Sequence, residues 1–217
     1  MKTILSYAAF FLFTISFSFA QDTRYQTVMK KEIEKVISSD SISHLQESAN
    51  SFARVSELFP NEWQPFYYSA LAYIFQGLSN TLTMDKKDLA LGKADELVAK
   101  AATLSPNNAE IVTLQGFILM AKLNVDPASR GQSMSGKVMS TYGMALGIDS
   151  KNPRALALLA QMEYGMAKFF GSGTEKSCGI AKQSLAIFDT QDEAARKEAI
   201  LPTWGKNLAS GLVKKCN

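Results

Sequence analysis

The feature that most constrains the fold of this chain is a helix-ending phrase that occurs three times. Each phrase closes a segment rich in small residues and precedes another helical segment. Proline cannot continue a helix, and asparagine and serine favour turns and helix starts. The phrases therefore mark repeated helical units, which stack into an array because one unit alone cannot bury a core. They are Leu58-Phe59-Pro60-Asn61, Leu104-Ser105-Pro106-Asn107-Asn108 and Ile148-Asp149-Ser150-Lys151-Asn152-Pro153.

Nearly the whole chain beyond residue 20 has the pattern of amphipathic helices. Apolar residues recur three and four positions apart, and no stretch alternates long enough to form a strand. Ser39-Asp40-Ser41 is predicted to end the first helix and to cap the second. Trp204 is expected to be the apolar plug of a last, capping helix. The helix bounds predicted from these patterns are 24–38, 42–58, 63–77, 88–104, 176–188 and 202–215.

The two helices between Pro60 and Pro106 carry a regular order of small and large residues. The first has Phe66, Ala70 and Tyr73 in aromatic, small and aromatic positions, and the second has Ala94, Val98 and Ala101 in small, large and small positions. This order resembles the tetratricopeptide repeat, with Ser69 in place of that family's usual Leu. The resemblance implies an all-α, right-handed solenoid of stacked antiparallel helix hairpins, about four pairs plus a C-terminal capping helix.

The repeat is longer than in that family. Pro106 follows Pro60 by 46 residues, whereas the standard tetratricopeptide repeat has roughly 34. The extra length falls at 79–83 and 124–131, where either longer helices or ordered loops would accommodate it. Asp126 and Arg130 are expected to form an ion pair in the second of these segments. Gly116 is placed to let the helices of the third pair approach closely, at a helix-propensity cost of about 1 kcal/mol relative to Ala.

Met1 to Ala20 have the pattern of a secretory signal peptide. Lys2 precedes an apolar run from Ile4 to Phe19, which is too short to span a bilayer comfortably and has small residues at the cleavage positions. Cleavage after Ala20 predicts a helical repeat domain over 21–217, a periplasmic or secreted location and no membrane insertion after cleavage. An uncleaved membrane anchor is the alternative.

Four short motifs add to this prediction along the whole chain. They are a Phe-rich signal ending in Ala20-Gln21, Pro60-Asn61-Glu62-Trp63 before Phe66-Tyr67-Tyr68, Val125-Asp126-Pro127 with Arg130-Gly131, and Pro202-Thr203-Trp204-Gly205 before a C-terminal Cys. In these motifs the chain resembles the exported tetratricopeptide-like proteins of Bacteroidetes bacteria. That resemblance implies a periplasmic location and no assigned chemistry.

The two cysteines, Cys178 and Cys216, are predicted to form a disulfide that staples the last helix to the one before it. An oxidising compartment favours this pairing. The alternative is two reduced thiols, with Cys178 buried as a small hydrophobic residue and Cys216 at a frayed terminus.

The residues needed for catalysis or metal binding are mostly missing. His44 is the only histidine, so there is no Ser-His-acid triad with a choice of base, no His pair for zinc and no Cys-x-x-Cys motif. The glycine-rich segment 171–177 departs from a phosphate-binding loop because Glu175 precedes its Lys. The acidic residues between Asp85 and Glu96 are interleaved with lysines and lack EF-hand spacing. We therefore predict no enzyme activity, no cofactor and no metal site.

The net charge excludes a further class of partner. The chain carries a net charge of +3, with acidic and basic residues interspersed, so no basic stripe is available for nucleic acid.

In a tetratricopeptide-like array the first helix of each pair forms the inner wall, where aromatic and Met side chains would bind an apolar protein or peptide segment. Arg154 would be available there for a carboxylate. The predicted partner-binding residues are Gln64, Tyr67, Leu71, Phe75, Thr113, Phe117, Met120, Arg154, Gln161 and Tyr164.

Three hypotheses for the function remain open at this point. The main one is a non-catalytic periplasmic scaffold or binding protein that engages a protein or peptide through the concave face. The alternative is a small-molecule carrier or an enzyme-like site in a cavity closed by the segments 79–83 and 124–131. Self-association through the apolar wall, giving a homo-oligomer, is the third, and the wall could also be covered by the chain's own N-terminal hairpin or C-terminal helix.

Overall fold

Ten helices make up residues 23–216, which are the residues that the computed structural model describes, and this range contains no strand. The predicted signal peptide, Met1 to Ala20, lies outside the described residues. No helix within the described range is long and apolar enough to cross a membrane. The helices are α1 (23–38), α2 (Ile42–Leu58), α3 (Gln64–Leu78), α4 (Met84–Leu104), α5 (Ala109–Val125), α6 (Pro127–Ile148), α7 (Pro153–Phe170), α8 (Glu175–Thr190), α9 (Glu193–Glu198) and α10 (Lys206–Lys215).

The three repeated phrases are helix boundaries, as predicted. The helices α2, α4 and α6 end at the residue that opens each phrase. The side chain of Asn108 accepts a hydrogen bond from the backbone N–H of Glu110, and that of Asn152 accepts one from Ala155, both at 2.9 Å. These bonds satisfy backbone donors that the first turn of a helix leaves without partners.

Helices that follow one another in the chain also pack against one another. The pairs α3 with α4, α5 with α6, and α7 with α8 form the most extensive contacts, and α3, α5 and α7 also contact one another in that order. One large apolar cluster runs from α1 through α7 and includes Ile200 and Trp204 near the C-terminus. The first helices of the pairs, α3, α5 and α7, therefore form one layer. The C-terminal residues Ile200 and Trp204 join the apolar cluster to which this layer belongs.

The extra length of the repeat is helical at one place and a turn at the other. The segment 124–131 spans the end of α5 and the start of α6, while 79–83 remains a turn between α3 and α4. The ion pair predicted between Asp126 and Arg130 is wrong. Asp126 instead caps α6, where it accepts a hydrogen bond from the backbone N–H of Ser129. The guanidinium of Arg130 donates to both carboxylate oxygens of Asp88 on α4, at 2.7 and 2.6 Å.

The close approach predicted at Gly116 is present. A Cβ atom at this position would lie 2.4 Å from the ring of Tyr142 on α6, a distance that real Cβ contacts do not reach. The Tyr142 side chain is fully buried, so it cannot move aside easily. The glycine therefore sets the distance between α5 and α6.

The last predicted helix begins later than expected. Residues 201–205 are not helical, α10 starts only at Lys206, and the short helix α9 precedes this segment. Gly205 has a φ of 104°, and a Cβ atom there would lie 2.9 Å from the side chain of Arg154. The disulfide between Cys178 on α8 and Cys216 at the end of α10 is confirmed, with the two Cα atoms 5.8 Å apart.

Candidate ligand-binding site

The inner layer of helices is covered by residues 199–205, which we call the C-terminal strap. Trp204, near the end of the strap, is only 3% exposed, and its indole stacks on the ring of Phe117 with centroids 5.5 Å apart. The indole Nε1 donates a hydrogen bond of 2.9 Å to the hydroxyl of Tyr67. The strap thus contacts both α3 and α5 through one side chain, and Trp204 is the apolar plug that was expected, although it precedes the helix.

A buried ion network holds the strap in place. The guanidinium of Arg154, which is fully buried on α7, donates to both carboxylate oxygens of Glu110 at 2.8 Å. Its third contact goes to the backbone carbonyl of Trp204 at 3.1 Å. Arg196 donates to the same carboxylate at 3.3 Å and to the carbonyl of Pro202 at 2.9 Å. The carboxylate that the sequence suggested for Arg154 is thus supplied by Glu110 of the same chain.

The tyrosines beside this network remain protonated at physiological pH. Burial raises the pKa of Tyr67 well above its ordinary value, and the nearby carboxylate of Glu110 raises it further. Burial also raises the pKa of Tyr68, whose hydroxyl has no hydrogen-bond partner among the described residues. The two hydroxyls therefore add no charge to the buried network.

The predicted partner-binding residues fall into separate environments. Five of them are buried, and these are Tyr67, Leu71, Thr113, Phe117 and Arg154. Gln64 and Phe75 are partly exposed. The remaining three, Met120, Gln161 and Tyr164, line a large cavity. Binding of a partner at the inner wall remains a prediction, and a partner there would have to displace the strap.

The large cavity lies between α5, the start of α6, the end of α7 and α10, and we call it the α5–α10 cavity. Its volume is about 1140 Å³, slightly above the roughly 300–1,000 Å³ typical of small-molecule sites. The segment 124–131 forms part of its wall. The apolar part of the lining includes Met120, Met162, Tyr164, Met166, Phe169 and Phe170, and the polar part includes Asn124, Gln132, Gln161, Asn207 and Lys215.

The rim of this cavity carries an exposed aromatic pair. Phe169 and Phe170, in the last turn of α7, are 84% and 71% exposed, and their rings meet edge to face with centroids 5.0 Å apart. Large apolar side chains exposed together beside a cavity are typical of ligand or partner sites. The sequence patterns did not single out these residues, because two adjacent aromatic residues on a helix do not by themselves indicate a site.

A smaller depression of about 490 Å³ lies where the turns after α1 and α3 meet. Its lining combines Leu45 and Phe75 with the polar turn residues Ser79, Asn80 and Thr81. This depression lacks the concentration of aromatic and Met side chains found in the α5–α10 cavity. The larger cavity is therefore the candidate site.

The groups that could ligate a metal in the α5–α10 cavity are few. His44 lies on α2 beside Ser39, and both cysteines are in the disulfide. Within residues 23–216 no cluster of three or more His, Cys, Asp or Glu side chains could hold a metal ion. The remaining candidates in the lining are thioether sulfurs and one phenol. Of these, the sulfur of Met120 already accepts a hydrogen bond from Tyr142 at 3.8 Å, which leaves Met162, Met166 and Tyr164.

The fold is similar to that of a known binding protein. The structure matches the HusA haemophore from Porphyromonas gingivalis with a TM-score of 0.76 and 26% sequence identity, over 89% of this chain and 92% of that chain. A haemophore is a haem-binding protein and not an enzyme. No protein-family model and no curated protein matches the sequence.

Proposed function

We propose that this protein is a non-catalytic carrier of haem or a closely related porphyrin, which it binds in the α5–α10 cavity. The observation that carries the proposal is this large, mostly apolar cavity with an exposed aromatic pair at its rim. The likeness of nearly the whole fold to a haemophore supports it. Of the sequence-based hypotheses, the small-molecule carrier is thus preferred to the protein scaffold.

The lining suits a flat, rigid macrocycle. Aromatic rings gain about 0.5–1.5 kcal/mol from stacked or edge-on pairing beyond the area that they bury, and Phe169 and Phe170 are exposed and available for this. Met side chains adapt their shape and contact aromatic faces favourably, and Met162 and Met166 in the lining could supply such contacts. A rigid ligand also loses little conformational freedom on binding.

The iron atom has a secondary part in this proposal. Haem iron in proteins is held by His, Cys, Met or Tyr, and only Met and Tyr side chains are available in this lining. Burial of the macrocycle therefore supplies most of the binding free energy. A porphyrin without metal is expected to bind with an affinity close to that of haem.

The finer architectural and cellular predictions belong to the same proposal. We infer that the helix pairs form a right-handed tetratricopeptide-like solenoid, which the successive contacts of α3, α5 and α7 support. We also infer that the protein is exported to the periplasm or beyond after cleavage following Ala20. The disulfide supports export, because such bonds persist in oxidising compartments.

A partner protein at the inner wall is the second candidate. Tyr67 and Phe117 there are engaged by Trp204 of the strap, so the partner would first have to displace that segment together with its buried ion network. The cavity needs no such rearrangement, since it is open in the structure.

Filling the cavity tests the proposal. The variant Gly165→Trp places an indole in the lining, at a position where a new side chain meets no other atom within 4 Å. The matched control is Gly147→Trp on α6, where a side chain also meets nothing within 4 Å but which lies outside the lining. Haem and metal-free protoporphyrin would be titrated into each protein, following ligand absorption and tryptophan fluorescence.

The expected result is saturable binding of both ligands by the wild type and by Gly147→Trp, and at least tenfold weaker binding by Gly165→Trp. Absence of saturable binding by the wild type would refute the carrier function. Equal affinity in all three proteins would show that the ligand binds elsewhere on the molecule.

A further inference from the structure

We propose that Lys215 binds an acidic group of the cargo at the rim of the α5–α10 cavity. The inference rests on the proposed function and specifies it, because it assigns the ligand a carboxylate at a defined end of the site. Nothing in the likeness to the haemophore assigns a role to this residue.

The charge of the lining carries the argument. Among the described residues that line the cavity, Lys215 is the single charged side chain, and no Asp or Glu accompanies it there. The other polar side chains of the lining are neutral, and they are four amides, one hydroxyl and one phenol. A cavity with one cation and no anion is complementary to an apolar ligand that carries negative charge.

The ammonium of Lys215 is also unengaged. It makes no ion pair or hydrogen bond with any residue in the described range 23–216. Lys206, at the other end of the same helix, is by contrast paired with Asp189 at 2.8 Å. The charge of Lys215 is therefore available to a ligand without breaking a contact within the protein.

The position of Lys215 is fixed by its neighbours in the chain. Leu212, one turn earlier on α10, is buried, and Cys216 immediately afterwards is bonded to Cys178 on α8. Helix ends ordinarily fray, and a cross-link at the end of α10 limits this. The disulfide thus holds the lysine backbone at the cavity rim, while the long side chain keeps its reach.

The chemistry of a porphyrin cargo fits this arrangement. Haem is apolar over most of its surface and carries its carboxylate side chains on one edge. The macrocycle would lie among the Met and Phe side chains, with the carboxylate edge towards Lys215 and the solvent. Because the lysine is exposed, the ion pair is screened by water and salt, and its contribution is modest.

The test crosses two protein variants with two ligands. Lys215→Gln removes the charge at the rim, and Lys214→Gln removes an exposed neighbouring charge that is outside the lining. Each protein is titrated with metal-free protoporphyrin and with its dimethyl ester, which has the same macrocycle but no carboxylate charge. Titrations at low and high salt separate the electrostatic part.

At low salt Lys215→Gln should bind the acid form about two- to fivefold more weakly than the wild type. It should bind the ester as the wild type does, and the difference for the acid should shrink at high salt. Lys214→Gln should match the wild type with both ligands.

The inference is overturned if Lys215→Gln binds the acid as tightly as the wild type, or if it weakens the acid and the ester equally. Either result leaves the carrier function intact, because the wild type still binds. Failure of the wild type to bind either ligand refutes the proposed function itself.

Discussion

The position of the C-terminal strap is predicted to depend most on the negative charge of Glu110. The variant Glu110→Gln keeps the volume and shape of the side chain but removes its charge. Arg154, which is fully buried, and Arg196, which is partly buried, would then lie near each other without a counter-ion. Removing one partner of a buried ion pair costs about 3–5 kcal/mol, because the other charge stays desolvated and unpaired.

This loss is large relative to the stability of the domain. Folded domains are stable by only about 5–15 kcal/mol, so Glu110→Gln would remove a substantial part. For a chain of this size, 1 kcal/mol shifts the melting temperature by roughly 2–4 °C, and the expected decrease is therefore on the order of 10 °C. Since Arg154 also donates to the carbonyl of Trp204, the fluorescence of that residue should report loosening of the strap.

Urea unfolding followed by circular dichroism and tryptophan fluorescence measures the effect. The control is Glu47→Gln, which removes an exposed partner of Lys35 and should leave the midpoint unchanged. The triple variant Glu110→Met, Arg154→Met and Arg196→Met should recover part of the loss, because it leaves no charge of this network without a counter-ion. The reasoning is refuted if Glu110→Gln unfolds at the same urea concentration as the wild type.

Three further predictions concern other parts of the fold. Gly116→Ala should destabilise the protein by about 1–3 kcal/mol, because the new Cβ overpacks against α6. Gly143→Ala should stabilise it by up to about 1 kcal/mol, because a Cβ there meets nothing within 4 Å and Ala favours the helix. Thermal unfolding of both variants measures these changes. Hydrogen bonds from Arg130 lower the pKa of Asp88. The ionised carboxylate therefore stabilises the fold at pH values above its ordinary pKa, and this stabilisation is lost as the pH falls through the lowered pKa. Carboxyl NMR titration should show the Asp88 pKa returning towards its ordinary value in Arg130→Gln, and an unchanged midpoint would contradict the assignment. Reducing the disulfide, which spans 38 residues, should lower the free energy of unfolding by up to about 4 kcal/mol and weaken porphyrin binding. If the reduced protein unfolds at the same point and binds porphyrin as tightly as the oxidised form, α10 needs no cross-link.

Local signals allowed much of the helical framework to be predicted. The bounds of α2 match the predicted 42–58, and Asn108 and Asn152 cap the helices that their phrases precede. Gly116 was correctly placed at a close approach. Such features depend on a few neighbouring residues and on helical periodicity, so the sequence contains them directly.

The strap could not be predicted in this way. Its residues 202–205 continue the helical pattern of the sequence, yet they are not helical, because Arg154 and Tyr67 bind Trp204 from distant parts of the chain. Tertiary contacts of this kind outweigh weak local propensity. The predicted inner wall is therefore covered by the strap of the same chain.

The candidate site was predicted only in part for a related reason. Met120, Gln161 and Tyr164 were named from the repeat register, but the rest of the lining comes from further residues of α5 and α7 and from α6 and α10. Whether four helices from separate segments leave a space between them depends on packing, not on any one motif. Phe169 and Phe170 become informative only when their exposure is known.

The most direct test of the account locates the cargo by its iron. Ferric haem is paramagnetic and broadens NMR signals of nearby nuclei, so Met methyl groups serve as reporters. In a protein labelled at these methyls, haem should broaden Met120, Met162 and Met166, which line the cavity, and spare Met29 and Met84 on α1 and α4. Broadening confined to Met29 or Met84, or no broadening at saturating haem, would contradict binding in the α5–α10 cavity.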